Sequence, residues 1–205
     1  MNALPAQSIP NDAATPLIQE ARVVGNHPLC CEHFRLTCRL DNLRVAYPGQ
    51  FVHLSPYSNP PCGYRTFDAN STGACGAWED ELSRPMLRRA FSIAGLARRA
   101  DCIDLDIIYR VVGRATRWME SLQLGDRLSV LGPLGNVFPI SATKRSAWLV
   151  AGGVGLPPML WLAEALRAAG KETIAFLGAR TADLFPLVLD PSETPAADAR
   201  RATRC

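Results

Sequence analysis

Three short segments carry residue types that could bind a charged ligand. In Arg88-Arg89-Ala90-Phe91-Ser92-Ile93 a fixed cation, an aromatic ring and a hydroxyl lie along one strand. The two-residue repeat of a strand puts Arg89 and Phe91 on one face and Ser92 on the other. A planar guanidinium suits a phosphate, a ring suits stacking, and a hydroxyl suits a ring nitrogen. An ordinary structural strand gives the same pattern, so the segment decides nothing alone. In Tyr109-Arg110-Val111-Val112-Gly113-Arg114-Ala115-Thr116 a strand ends and a helix opens. Backbone N–H groups at Ala115 and Thr116, beside the positive end of the helix dipole, make an anion site suited to a pyrophosphate. A simple Thr N-cap accounts for Thr116 equally well. It leaves Arg110, Arg114 and Arg117, which fit either a ligand or a solvated basic face.

The third segment, Ala151-Gly152-Gly153-Val154-Gly155-Leu156-Pro157-Pro158, lets the backbone approach a ligand closely at a helix start. It is not G-x-G-x-x-G, because Pro158 stands where the third glycine would be. His27, His33 and His53 show no metal spacing and join no Ser, His and Asp set. All three read as structural or surface residues, and no titrating group is assigned a catalytic role.

The elements that hold these segments come in two styles. From about Leu17 to Ile140 short strands alternate with turns. Phe34, Leu36, Cys38 and Leu40 alternate with Arg35, Thr37 and Arg39, and Phe51-Val52-His53-Leu54 follows the turn Tyr47-Pro48-Gly49. Further strands are expected at Arg89–Ala94, Ile103–Val112 and Arg127–Leu131, with one short helix at Thr116–Leu122. That pattern predicts a small all-β antiparallel barrel over 17–140. After Lys144 the grammar changes: apolar strand Ala147–Ala151, glycine loop, helix Pro157–Ala169, and strand Thr173–Leu177. This is a βαβ unit, so 145–189 reads as a partial α/β domain with a parallel sheet.

Residues 1–16 and 190–205 read as a disordered leader and tail, and 56–84, rich in Gly, Pro, Asn and Ser, as a long surface loop. The chain of 205 residues is 48% hydrophobic and 20% charged, with a net charge of +3, an ordinary globular balance without a nucleic-acid footprint. The uncharged stretch Ser146–Ala163 is broken by Gly152, Gly153, Gly155, Pro157 and Pro158, which argues against a membrane span. Seven cysteines show neither a C-x-x-C pair nor a cluster spacing, consistent with reduced thiols in a cytoplasmic protein. Cys62 and Cys75 share the long loop, which leaves a metal pair or a redox disulfide open.

In this order the segments resemble the ferredoxin-reductase superfamily, in which a flavin-binding barrel precedes a nicotinamide-binding α/β domain. Within it they are similar to the electron-transfer subunits of class 1B dihydroorotate dehydrogenase. The phrases that carry the likeness are Pro48-Gly49-Gln50-Phe51, Leu87–Ile93, Ile107–Thr116, Gly125-Asp126 with Val130–Asn136, and Val150–Pro158 with Phe176–Arg180. The resemblance implies that Arg89, Ala90, Phe91 and Ser92 line FAD, with Arg89 near its pyrophosphate and Ser92 near the reactive edge of the isoalloxazine. It places Ile108, Tyr109 and Arg110 along the flavin and Ala115 and Thr116 at its phosphates, although glycine is usual at the position of Ala115. Gly152, Gly153 and Gly155 would face the NAD(P) pyrophosphate, and Arg180 its ribose.

The implied activity is FAD-dependent electron transfer between a nicotinamide cofactor and the catalytic dihydroorotate dehydrogenase subunit of pyrimidine biosynthesis. The family's later strands, its late Cys-Gly-Pro segment and the cysteine run that holds a 2Fe-2S cluster are not found, so the chain reads as C-terminally truncated. Two alternatives follow: an inactive flavin-binding or interaction module, and a generic NAD(P)H-flavin reductase.

Overall fold

The computed structural model describes residues 16–41, 45–56 and 87–187. The expected leader and tail, nearly all of the 56–84 loop, and Cys62 and Cys75 lie outside them. Seven antiparallel strands come first: β1 (Leu17–Cys30), β2 (His33–Leu40), β3 (Phe51–Pro56), β4 (Arg89–Ser92), β5 (Gly95–Arg98), β6 (Ile103–Arg110) and β7 (Arg127–Leu134). A short helix, α1 (Arg114–Glu120), sits between β6 and β7. Then come β8 (Ser146–Gly152), a 3-10 turn at Gly153–Gly155, α2 (Leu156–Ala168) and β9 (Glu172–Gly178).

The sheet runs β4-β3-β7-β1-β2-β6-β5. Its two end strands, β4 and β5, are neighbours in sequence, joined through Ile93 and Ala94. A sheet whose first and last strands are covalently adjacent has to curl until they meet, which also protects its edges. Ile93 and Ala94 make the junction: the Ile93 N–H donates to the Gln50 carbonyl at 3.2 Å and the Ala94 N–H to the Asp106 carbonyl at 2.8 Å. Alternate residues fill the interior, including Val52, Leu54, Leu36, Cys38, Leu40, Leu105, Ile107, Leu128 and Val130. Each such aliphatic side chain contributes about 2 kcal/mol through burial.

The two-residue repeat of β2 and β6 gave those strands away, but the 14-residue β1 is not delimited by any repeat. Its register against β2 shifts between Val23 and Gly25 and again between Pro28 and Cys30, and each bulge resets which face a residue occupies. On β6 the outward Asp104 is nonetheless buried. Arg39 Nε and Arg99 Nε cover it, at 2.8 and 2.6 Å.

Strands β8 and β9 pair in parallel from Ser146↔Glu172 to Gly152↔Gly178, as the βαβ reading requires. Leu162 and Leu166 of α2 cover one face of this pair at Leu149. Trp161, on the same helix, packs into the barrel's core and joins the two parts. The other face exposes Trp148, Val150, Ile174 and Phe176, with the two rings 5.9 Å apart. Among the described residues no helix is long and apolar enough to cross a membrane.

Candidate functional site: an open seam in the barrel

The closure of the barrel is incomplete in one place. Among the described residues β4 pairs with β3 alone, and β5 covers only Ile103–Asp106 of β6. Beyond the Ala94 junction, the outer edge of Arg89–Ser92 and the edge of Ile107–Arg110 therefore face each other without a ladder between them. Unpaired strand edges carry backbone donors and acceptors that need partners. The floor of the seam is aromatic, because Phe91 and Tyr109 meet edge-on with ring centroids 6.4 Å apart.

Register fixes what each lip presents. Phe91 pairs with Val52 and Arg89 with Leu54, so both share the inward face, while Ser92 pairs with Phe51 and Ala90 with His53 on the outer face. The two-residue alternation expected for this strand is thus the one observed. Its consequence is that the Phe91 ring packs against the core and is not an exposed stacking platform. Arg89, near the barrel mouth, is exposed. On β6, Tyr109 points inward and is 4% exposed. Its hydroxyl donates to Asn26 Oδ1 at 3.1 Å, and burial pushes its pKa up. Ile108 and Arg110 alternate to the outer side, and Arg110 forms an ion pair with Glu32 at 2.7 Å.

Helix α1 begins at Arg114, two residues before the expected start, so Ala115 and Thr116 lie inside its first turn. The Thr116 hydroxyl turns back on its own cap. It accepts from the Val112 and Gly113 N–H groups at 2.9 and 3.1 Å and donates to the Gly113 carbonyl at 3.1 Å. The first turn of a helix directs its backbone N–H groups out of the intrahelical ladder, and Ala115 and Thr116 lie in that turn. Two further residues border the seam: Asn26, which the sequence did not single out, and His53, read above as structural or surface. Asn26 ties Tyr109 to the end of α1, and His53 lies on the outer face beside Ala90, with its ring 5.6 Å from Phe51. Only the strand register reveals either.

The glycine loop forms a second group. Gly152 closes β8 opposite Gly178, and a Cβ on it would come within 3.2 Å of the Gly178 carbonyl oxygen. Gly153 has φ +51°, and Gly155 caps α2, whose first turn holds Pro157 and Pro158. Arg180, just past β9, shares this carboxyl edge of the parallel pair, where open α/β sheets bind ligands. Between α2 and β5 a cleft of about 430 Å³, lined by Ala94, Leu96, Asp106, Leu160 and Glu164 among others, adjoins the pinned end of the seam. Among the described residues no three His, Cys, Asp or Glu side chains gather as a metal site, and Cys30, Cys31, Cys38 and Cys102 are free. These residues do not fit a 2Fe-2S cluster, which takes four such ligands.

No protein-family model matches the chain. It is 34% identical over 168 residues to "Dihydroorotate dehydrogenase B (NAD(+)), electron transfer subunit" of Lysinibacillus sphaericus (strain C3-41), covering 81% of this chain and 56% of that protein. It is 42% identical over 141 residues to the subunit of the same name from Bacillus velezensis, covering 67% and 45%. The chain thus spans about half the length of the curated relatives it matches. Among solved structures, the ferredoxin reductase in carbazole 1,9a-dioxygenase superposes with a TM-score of 0.63 at 24% identity, covering 82% of this chain and 44% of that one. Phthalate dioxygenase reductase, described as transferring electrons from pyridine nucleotides to 2Fe-2S, gives 0.57 at 18% identity, covering 81% and 45%. Likeness in sequence and likeness in fold point the same way: over 81% of its own length the chain is similar to the electron transfer subunit of dihydroorotate dehydrogenase B, and it shares the fold of these two reductases.

Proposed function

We propose that the chain holds FAD along the seam and transfers electrons between NAD(P)H and a partner redox protein in the cytoplasm. By likeness to its relatives, that partner is the catalytic subunit of dihydroorotate dehydrogenase. The observation that carries this reading is the pair of unladdered strand edges over a buried aromatic floor, with an exposed arginine on one lip. FAD would supply the two-electron chemistry and the means to divide it. The backbone of Ala90, Ile108, Tyr109 and Arg110 would hydrogen-bond its ring system, and the Ser92 hydroxyl would meet the reactive edge. Arg89 and the N–H groups of Ala115 and Thr116 would take the pyrophosphate. Gly152, Gly153 and Gly155 would admit the nicotinamide dinucleotide, with Arg180 at its ribose. Hydride transfer demands ring alignment and exclusion of water more than an acid or base.

The bare face of β8 and β9 favours a second reading, a flavin-binding module without nicotinamide turnover. A parallel sheet normally buries both faces. The test is to purify the chain with FAD supplied, record its visible absorbance, and add NADH without oxygen. Bound flavin that NADH bleaches supports the first reading. Bound flavin that NADH leaves unchanged supports the second, and no bound flavin overturns both.

A further inference from the structure

The hairpin between β1 and β2 reaches the seam. Glu32, at its tip, has φ 60°, a conformation in which among the described residues it is the sole non-glycine. Such backbone is unfavourable for a residue with a side chain and persists where its surroundings hold it. Three hydrogen bonds do so. The Glu32 carbonyl accepts the Val111 N–H at 2.7 Å. Its Oε2 accepts Arg110 Nε at 2.8 Å and Arg110 Nη2 at 2.7 Å. One residue earlier, the Cys31 N–H donates to the Asp183 carbonyl at 3.1 Å, so the same tip also touches the end of the α/β part.

Both guanidinium contacts fall on one carboxylate oxygen, which fixes the plane of Arg110 and turns its Nη1 side away from Glu32. The pair is part-solvated, with the two side chains 34% and 46% exposed, so its direct contribution to stability is small. Its effect is on orientation. Arg110 ends the free lip of β6, and Val111 begins the turn that leads to Thr116.

We propose that Glu32 is a positioning residue for the anion end of the seam. Its carboxylate aims Arg110 and its left-handed backbone sets Val111, so that the lip from Arg110 to Thr116 is in place before a nucleotide arrives. This rests on the flavin reading above and adds to it a residue from a distant hairpin. Preorganisation of this kind raises affinity by lowering the ordering cost at binding.

The test uses the full chain with Glu32→Gln, which keeps the size and removes the charge, and Glu32→Gly, which also relieves the backbone. Three quantities are read: the melting temperature, amide hydrogen exchange of the 107–117 segment without FAD, and the FAD dissociation constant by fluorescence quenching. Glu32→Gln is expected to melt within a few degrees of the parent, to exchange faster in that segment, and to bind FAD about tenfold more weakly, because the lip must then be ordered at the moment of binding. Glu32→Gly is expected to show the same loss, and it carries the comparison if Glu32→Gln fails to fold. Unchanged exchange overturns the proposal whatever the flavin does. Faster exchange with unaltered or tighter FAD binding overturns it too, while leaving the flavin reading intact. A parent chain that takes up no FAD overturns that reading and this inference with it.

Discussion

The hydroxyl of Tyr109 donates to Asn26 Oδ1 at 3.1 Å, while Asn26 Nδ2 donates to the Met119 and Leu122 carbonyls at 2.9 and 3.2 Å. One amide on β1 thereby anchors the aromatic floor of the seam to the trailing end of α1. Asn26→Ala leaves a buried hydroxyl and two carbonyls without these partners. It is expected to lower stability by about 2–3 kcal/mol, against about 1 kcal/mol for Tyr109→Phe. The double variant should fall short of the sum, since both remove one network. Urea unfolding of the three proteins measures this.

Acid should loosen the hairpin side of the barrel. The Arg39 guanidinium, with Arg99 second and burial opposing them, holds the Asp104 carboxyl below the usual carboxylate range. A group depressed on folding stabilises the protein above its unfolded pKa, about 3.9, and that contribution is lost as pH falls through the lower folded value. Asp104→Asn should melt lower than the parent at neutral pH, and the gap should close below about pH 4. Melting curves across that range check it.

Alkali tests the floor. Burial raises the Tyr109 pKa, so its neutral form is favoured by folding. The associated stability is full below the unfolded value of about 10 and declines as pH rises from there toward the folded value. Spectrophotometric titration should therefore show a tyrosine component that ionises only as the protein unfolds and that Tyr109→Phe removes.

Gly49 has φ +103°, and a Cβ there would lie 2.8 Å from the Phe138 backbone nitrogen and 3.0 Å from the Asn136 carbonyl oxygen. Neither is a movable side-chain tip. Gly49→Ala is expected to cost about 2–3 kcal/mol from conformational strain and overlap together. Gly125→Ala, at φ +94° with open space around its Cβ, should cost about 1 kcal/mol. Comparing the two by chemical denaturation separates strain from crowding.

On the proposed FAD reading, with Arg89 at the pyrophosphate, Arg89→Gln should weaken FAD binding about tenfold. Ser92→Ala should leave affinity nearly intact and slow flavin reduction by NADH about tenfold, if its hydroxyl meets the reactive edge. Equilibrium titration and anaerobic stopped flow measure the two quantities independently.

Several features were legible in the sequence because their causes are local. The βαβ unit, its glycine loop and the end of α2 were placed within a residue or two, since an apolar run, a proline-bearing first turn and Gly170 act over neighbouring positions. The inward and outward sides of Arg89–Ser92 likewise follow from alternation alone. Tertiary structure decided the rest. The seam exists because β4 and β5 close a seven-stranded sheet whose order no short window of sequence contains. The bulges of β1 hid its extent, and the partners of Arg110 and Asn26 lie 78 and 93 residues away. Side-chain types told which chemistry was available; only the pairing of distant strands decided which edges among the described residues stay outside a ladder, because a strand's partners are set by the whole sheet and not by its neighbours in sequence.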